Sequence, residues 1–297
     1  MYIIEYFIDN DRDSLHMHNC HIHNQKKKPQ PDLGPIKNFL KFIWNNEKKT
    51  LFDRTAKEWG IGYKPNIPLP LTSPIIWISE TNKNARSKRY VQALTDFLKD
   101  YTMNSTQREL KCSENQLRPY SKLKPCFFDV KSLGTCGKAP YGYTIPIQPC
   151  VLIKFNKRLG WIPRYYNRSS VLPRTMPNFL KKIIKKSDKV YIWLSCNGAD
   201  NIDKEHIGKI EYIPNPGFPI EYFPFRGQKD YVSPVVAIKF KNLTRNFIFN
   251  ILILIQNNQN ILQLDCRILL TVQCIVWSSN VIQPTSYYMD FQIIIEK

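Results

Sequence analysis

The chain runs to 297 residues, enough for one large domain or two small ones, and its 43% hydrophobic content supports a packed core. A net charge of +19 would suit an anionic partner. The lysines are scattered, however (Lys26 to Lys28, Lys48 and Lys49, Lys181 and Lys182, Lys185 and Lys186), and no recognition helix or stacking motif organises them, which argues against nucleic acid as a partner.

Residues 1–35 are expected as a disordered tail. His16, His18, Cys20, His21 and His23 crowd together there, and alternate residues of an extended strand could present imidazole and thiolate to zinc. Structural sites usually draw ligands from two separated pairs, so a polar tail without metal is the preferred reading. Met1 to Phe7 is apolar but lacks a basic start and a small-residue cleavage site, and Asp9, Asp11 and Asp13 follow it, so it makes a poor signal peptide. No window supplies the roughly 20 apolar residues of a membrane helix; Phe247 to Ile255 comes nearest and is interrupted by Asn250.

Phe39, Phe42 and Ile43 have helical spacing. The clearest helix is predicted over 87–101, capped by Ser87, with Tyr90, Val91, Leu94, Phe97, Leu98 and Tyr101 forming one apolar stripe. From residue 126 onward the pattern turns to strands: Cys150 to Phe155, Val190 to Cys196, Ile207 to Ile213, Val235 to Phe240, Val272 to Trp277 and Phe291 to Ile295. With 16 Tyr, 16 Phe and 21 Pro, this describes a β-rich, loop-rich domain, and six or more short strands suggest an antiparallel sandwich.

Cys112 and Cys126 are separated by the same interval as Cys136 and Cys150, and Cys196 waits for a partner near the C-terminus. Cysteines in this order indicate a stapled extracellular domain. Zinc is the alternative, but no two of them have the two-to-four-residue ligand spacing. Three triplets permit N-glycosylation in a secretory lumen, at Asn104, Asn167 and Asn242. The block Tyr222-Phe223-Pro224-Phe225 supplies aromatic area suited either to an interface or to a sandwich interior. Catalysis has little support. His206 is the only histidine beyond the tail, Asp200, Asp203 and Glu205 fall in a turn-like stretch read as a solvated loop, and no cofactor is expected.

Several of these stretches together resemble one family. Phe42-Ile43-Trp44-Asn45-Asn46-Glu47-Lys48-Lys49 leads through Arg54-Thr55 to Trp59; Val235 to Thr244, Val272 to Val281, the Tyr222 to Gly227 block and the cysteine order follow. The chain is similar to the β subunits of the sodium/potassium-transporting ATPase and its proton/potassium relatives. The resemblance implies an immunoglobulin-like β-sandwich ectodomain with one amphipathic helix. It also pairs Cys112 with Cys126, Cys136 with Cys150 and Cys196 with Cys274, leaving Cys20 and Cys266 as thiols, and makes Tyr222 to Phe225 an assembly motif.

By the same resemblance, residues 36–60 form a cytoplasmic-type juxtamembrane segment, 61–86 a stalk and 87–297 the ectodomain. The family's single span should stand between the first two, but Trp59-Gly60 runs directly into Ile61. Residues 246–270, rich in Ile, Leu, Asn and Gln, are expected as an insertion resembling translated intron. The implied role is a non-catalytic subunit that helps a catalytic α subunit fold, reach the plasma membrane and bind potassium, with β–β contact between cells a further possibility. The chain as written, lacking the span, would stay in the cytosol. A freestanding glycosylated adhesion module is the alternative.

Overall fold

The computed structural model describes residues 44–45, 50–51, 54–55, 61–65, 75–79, 85–102, 108, 112–119, 121, 124–245, 248–254, 261–267, 269–281 and 289–296. The histidine-rich stretch around Cys20 and the sequon asparagine Asn104 lie outside them.

The first strands are β1 (Trp44–Asn45), β2 (Thr50–Leu51), β3 (Arg54–Thr55), β4 (Ile61–Lys64) and β5 (Ile75–Ser79). Helix α1 (Ala85–Thr102) and strand β6 (Cys150–Phe155) follow, then α2 (Asn178–Lys186), β7 (Tyr191–Gly198) and α3 (Asn201–His206). The remaining strands are β8 (Lys209–Ile213), β9 (Gly217–Pro219), β10 (Val235–Lys241), β11 (Ile248–Leu254), β12 (Ile261–Arg267), β13 (Leu270–Trp277) and β14 (Met289–Glu296).

Two units divide this chain: residues 1–58 with 247–268, and residues 59–246 with 269–297. In the first, β1, β2 and β3 form a small antiparallel sheet, and β11 pairs antiparallel with β12 from Ile248↔Arg267 to Leu254↔Ile261. The segment expected as an insertion therefore forms a hairpin assigned to the first unit, whereas its flanks belong to the second. The Cys266 side chain lies outside the described residues.

The second unit is mainly β. One sheet has the order β4-β6-β10-β8 and is antiparallel throughout. The other has the order β5-β14-β13-β7-β9 and contains one parallel pair, β5 with β14. Rings from the two sheets meet: Tyr63 stacks on Phe291 at 4.9 Å, Phe240 meets the same ring edge-on at 6.3 Å, and Phe155 meets Phe218 at 5.5 Å. Five of the six β6 residues are buried, a near-continuous apolar run that fits a strand covered on both faces. Ile61 to Lys64 and Ile75 to Ser79, within the stretch expected as a stalk, are strands of these two sheets.

Helix α1 buries Tyr90, Leu94, Leu98 and Tyr101, four of the six residues of the predicted stripe, while Val91 and Phe97 are half-buried. Ser87 does not cap it. The helix begins at Ala85, so Ser87 lies within the first turn, and its buried Oγ makes no hydrogen bond among the described residues. The Tyr90 hydroxyl fastens the helix to β5, accepting from the Trp77 N–H at 2.9 Å and donating to the Ile75 carbonyl at 3.3 Å. Helix α2 escapes sequence reading because lysines surround its two buried residues, Leu180 and Ile184, which pack with Met176, Trp193 and Trp277. Where a solvated loop was expected, α3 forms: Asp200 accepts the Asp203 N–H at 2.8 Å as its cap, and buried Asp203 accepts the Thr271 N–H at 3.1 Å.

Candidate functional site

Cystines join Cys112 to Cys126 and Cys136 to Cys150, with Cα atoms 5.9 and 5.6 Å apart. Cys196 and Cys274 face each other in the β7–β13 ladder and are bonded, with Cα atoms 4.1 Å apart. The first loop is organised around a buried arginine. Arg118 donates to Cys112 Sγ at 3.1 Å and to the Lys124 carbonyl at 2.7 Å, and its backbone N–H donates to the Phe223 carbonyl at 2.7 Å. Arg226 returns the connection, donating to the Arg118 carbonyl at 3.0 Å and the Pro119 carbonyl at 3.1 Å. The cystine loop and the Tyr222–Phe225 block are thus one hydrogen-bonded piece.

The four residues of that block are not equivalent. Phe223 and Pro224 are buried; the Phe223 ring lies 5.1 Å from Phe155 and 5.7 Å from Trp161. Tyr222 is half-buried and donates its hydroxyl to the Phe127 carbonyl at 2.8 Å; burial raises its phenol above the ordinary range. Phe225 is half-buried, 4.8 Å from the Tyr231 ring, and its carbonyl accepts the Gly160 N–H at 2.7 Å. Only Tyr222 and Phe225 therefore leave surface for another molecule. Glu221, beside them, has its carboxyl pushed upward by burial, with the Glu114 charge adding to the effect.

Two sequon asparagines are on the surface. Asn167 is exposed; its side-chain oxygen accepts from the Ser169 N–H at 3.1 Å and from the Ser170 hydroxyl at 2.8 Å, so the loop holds the amide outward. Asn242 is exposed at a positive φ of 60°, a conformation asparagine tolerates. Thr244 of its sequon donates its N–H to the His206 carbonyl at 2.9 Å.

Sequence reading missed a second buried arginine, Arg108. It donates to the carbonyls of Asp100 at 2.7 Å, Tyr101 at 2.8 Å and Asp230 at 2.9 Å. Two of these carbonyls end α1, where the helix has no internal donor for them. Nothing local distinguishes Arg108 from a solvated loop arginine. Its partner at Asp230 is 122 residues away. Among the described residues no group of His, Cys, Asp or Glu is arranged to hold a metal ion, and no helix is long and apolar enough to cross a membrane.

These features define a cystine-stapled, two-sheet β domain that carries exposed sequon asparagines and two half-buried aromatics, Tyr222 and Phe225, at its surface. The chain matches the sodium/potassium ATPase beta chain family over residues 60–289 and belongs to that family. It is 36% identical over 205 residues to sodium/potassium-transporting ATPase subunit beta-2 of Drosophila melanogaster, covering 65% of this chain and 62% of the relative. Subunit beta-1 of the same fly is 34% identical over 187 residues, covering 62% and 58%. Subunit beta-1 of Tetronarce californica is 25% identical over 282 residues, covering 74% and 88%. The chain thus spans 62% and 58% of the length of the two fly relatives.

Proposed function

We propose that this chain acts as the non-catalytic β subunit of a sodium/potassium-transporting pump, assisting the folding, membrane delivery and potassium affinity of a catalytic α subunit. The observation that carries this reading is the placement of the family match. Residues 60–289 take in most of the unit that bears the three cystines and the aromatic block. The two facing sheets support an immunoglobulin-like sandwich as the finer description of the fold. Cystines persist in oxidising compartments, so the reading places this unit outside the plasma membrane, with glycans on Asn167 and Asn242, rather than in the cytosol, the compartment expected from the junction of Trp59-Gly60 with Ile61.

In this proposal Phe225 and the exposed edge of Tyr222 meet the α subunit, while Phe223 and Pro224 hold them in place from the interior. Co-purification tests it. The tagged chain should capture a co-expressed α subunit, and Phe225→Ala should weaken capture while thermal stability stays near wild type. Full capture by a stably folded Phe225→Ala protein would remove this edge from the contact; no capture by the wild-type chain would overturn the subunit reading.

A further inference from the structure

Helix α2 turns Leu180 and Ile184 into the core. A helix advances roughly 100° per residue, so Lys182 and Lys186, each two positions further on, point the opposite way. Both are exposed. Lys181 and Lys185 form a second row beside them, and backbone carbonyls hold their ammonium groups. Lys181 donates to the Arg174 carbonyl at 3.0 Å; Lys185 donates to the carbonyls of Arg168 at 2.8 Å and Ser170 at 3.0 Å. A carbonyl fixes an ammonium without cancelling its charge. These bonds also lay residues 168–174 along the helix, which sets exposed Arg174 beside Lys181.

Carboxylates are scarce around this face. Asp188 is the only one between residues 157 and 189, and it is paired with Arg168. Glu114, which approaches from another part of the chain, is paired with Lys189 at 3.0 Å. Among the described residues no carboxylate pairs with Arg174 or with any lysine of α2. Like charges four residues apart destabilise a helix, and this one carries two such pairs, Lys181 with Lys185 and Lys182 with Lys186. The C-terminal end of the helix favours Lys185 and Lys186 but not the other two. The fold alone therefore gives no account of these cations. Apolar side chains only flank them: Phe179 is 42% exposed and stacks on Tyr212 at 6.0 Å, and Ile183 is 37% exposed. A helix that lies in a membrane surface would carry such residues at the centre of its outward face.

We infer that the outer face of α2, together with Arg174, binds a sulfated glycan chain. Its sulfates lie along the two lysine rows, in each of which the cations are about 6 Å apart along the helix axis, and displace the counterions gathered there. Lys181 and Lys185 keep their carbonyl bonds and offer their remaining N–H donors, since an ammonium has three. Arg174 supplies a planar fork to one sulfate. The inference goes beyond the assembly reading and rests on it only for the compartment: outside the plasma membrane the polyanion is a sulfated polysaccharide rather than a nucleic acid or a lipid of the anionic cytoplasmic leaflet.

In the test the full-length chain, expressed into an oxidising compartment, is titrated with a heparin oligosaccharide, and its melting temperature is recorded in parallel. Lys182→Glu/Lys186→Glu should weaken binding at least about tenfold, and Lys182→Gln/Lys186→Gln, which places no negative charge at the end of the helix, at least about threefold. Lys88→Glu/Lys138→Glu makes the same change of net charge at exposed lysines elsewhere in the unit and should weaken binding less than about twofold. Fully desulfated heparin should bind at least about tenfold more weakly than heparin. Equal losses in the two charge-reversed proteins would show that the net charge of +19, not α2, attracts the glycan, and would overturn the inference. Undiminished binding by a stably folded glutamine variant, or equal binding of the desulfated chain, would overturn it as well.

Phosphatidylserine vesicles form the last arm. If they bind the chain more tightly than heparin does, and Ile183→Ser abolishes that binding, the face is a lipid site and the inference fails. Capture of an α subunit is read separately. Failure of wild-type capture with heparin binding intact would overturn the assembly reading alone; intact capture without heparin binding would overturn this inference alone.

Discussion

Replacing Arg108 with methionine tests whether a single buried guanidinium fastens the amphipathic helix to the far side of the domain. Arg108 is 6% exposed and makes three charge-assisted hydrogen bonds to carbonyls. At the low end of the usual range, ~1.5 kcal/mol each, the gross loss is about 4–5 kcal/mol. Two effects offset it. Methionine removes the cost of holding a charge out of water, and the carbonyls lie at a cleft where water can reach them. A net destabilisation of about 2–3 kcal/mol remains. For a unit of this size that corresponds to a fall in melting temperature of roughly 5–10 °C.

Urea unfolding and thermal melting of the intact chain measure the loss, and hydrogen exchange locates it. Amides in the last turn of α1 should exchange faster, while those of the β7–β13 ladder change little. Arg108→Lys should recover part of the loss, because an ammonium cannot span three carbonyls with the geometry of the guanidinium fork. An Arg108→Met protein within about 0.5 kcal/mol of wild type would refute the reasoning. It would mean that water replaces the arginine at no cost.

The cystines should not be equal. The loop closed by Cys196 and Cys274 has a sequence separation of 78, against 14 for each of the others. Chain entropy alone then gives about 4.5 kcal/mol for the long loop and ~3 kcal/mol for each short one. The Cys196→Ser/Cys274→Ser double variant, expressed into an oxidising compartment, should therefore lose more in urea unfolding than Cys112→Ser/Cys126→Ser; the reverse order would show that loop closure does not govern them. Burial raises the Asp203 carboxyl above its ordinary value, with Asp200 adding to the effect and the Thr271 N–H opposing it. A raised folded-state value means that the stability Asp203 contributes is fully present below its unfolded pKa and is lost as pH rises through the folded one. Asp203→Asn, which keeps an acceptor for Thr271, should abolish that part of the pH dependence, and an unchanged stability–pH curve would exclude Asp203 as its source.

Local pattern made much of this domain legible. The run Cys150 to Phe155 is β6 residue for residue, and Val235 to Phe240 is all but the last residue of β10, because β-branched and aromatic runs between proline and glycine have few other stable arrangements. The stripe on α1 is legible for the same reason, since its spacing needs only the helix itself. Its start was not. Ser87 has the chemistry of a cap, but the helix already includes Ala85.

What the sequence by itself determined is six of the strands (β6, β7, β8, β10, β13 and β14), the principal helix and the order of the cysteines, each a property of residues near one another in the chain. Only the tertiary structure decided which polar groups are buried and which aromatics face out. Arg108, Arg118 and Asp203 look like surface charges in sequence, yet each is buried and hydrogen-bonded to backbone. Phe223 and Phe225 look alike, yet one is buried against Trp161 and the other is half-buried beneath the Lys157 ammonium. The physical reason is separation along the chain. The partners of Arg108 and Asp203 at Asp230 and Thr271 are 122 and 68 residues away. Burial of a polar group is permitted only where such a distant partner arrives, and no local pattern records its arrival.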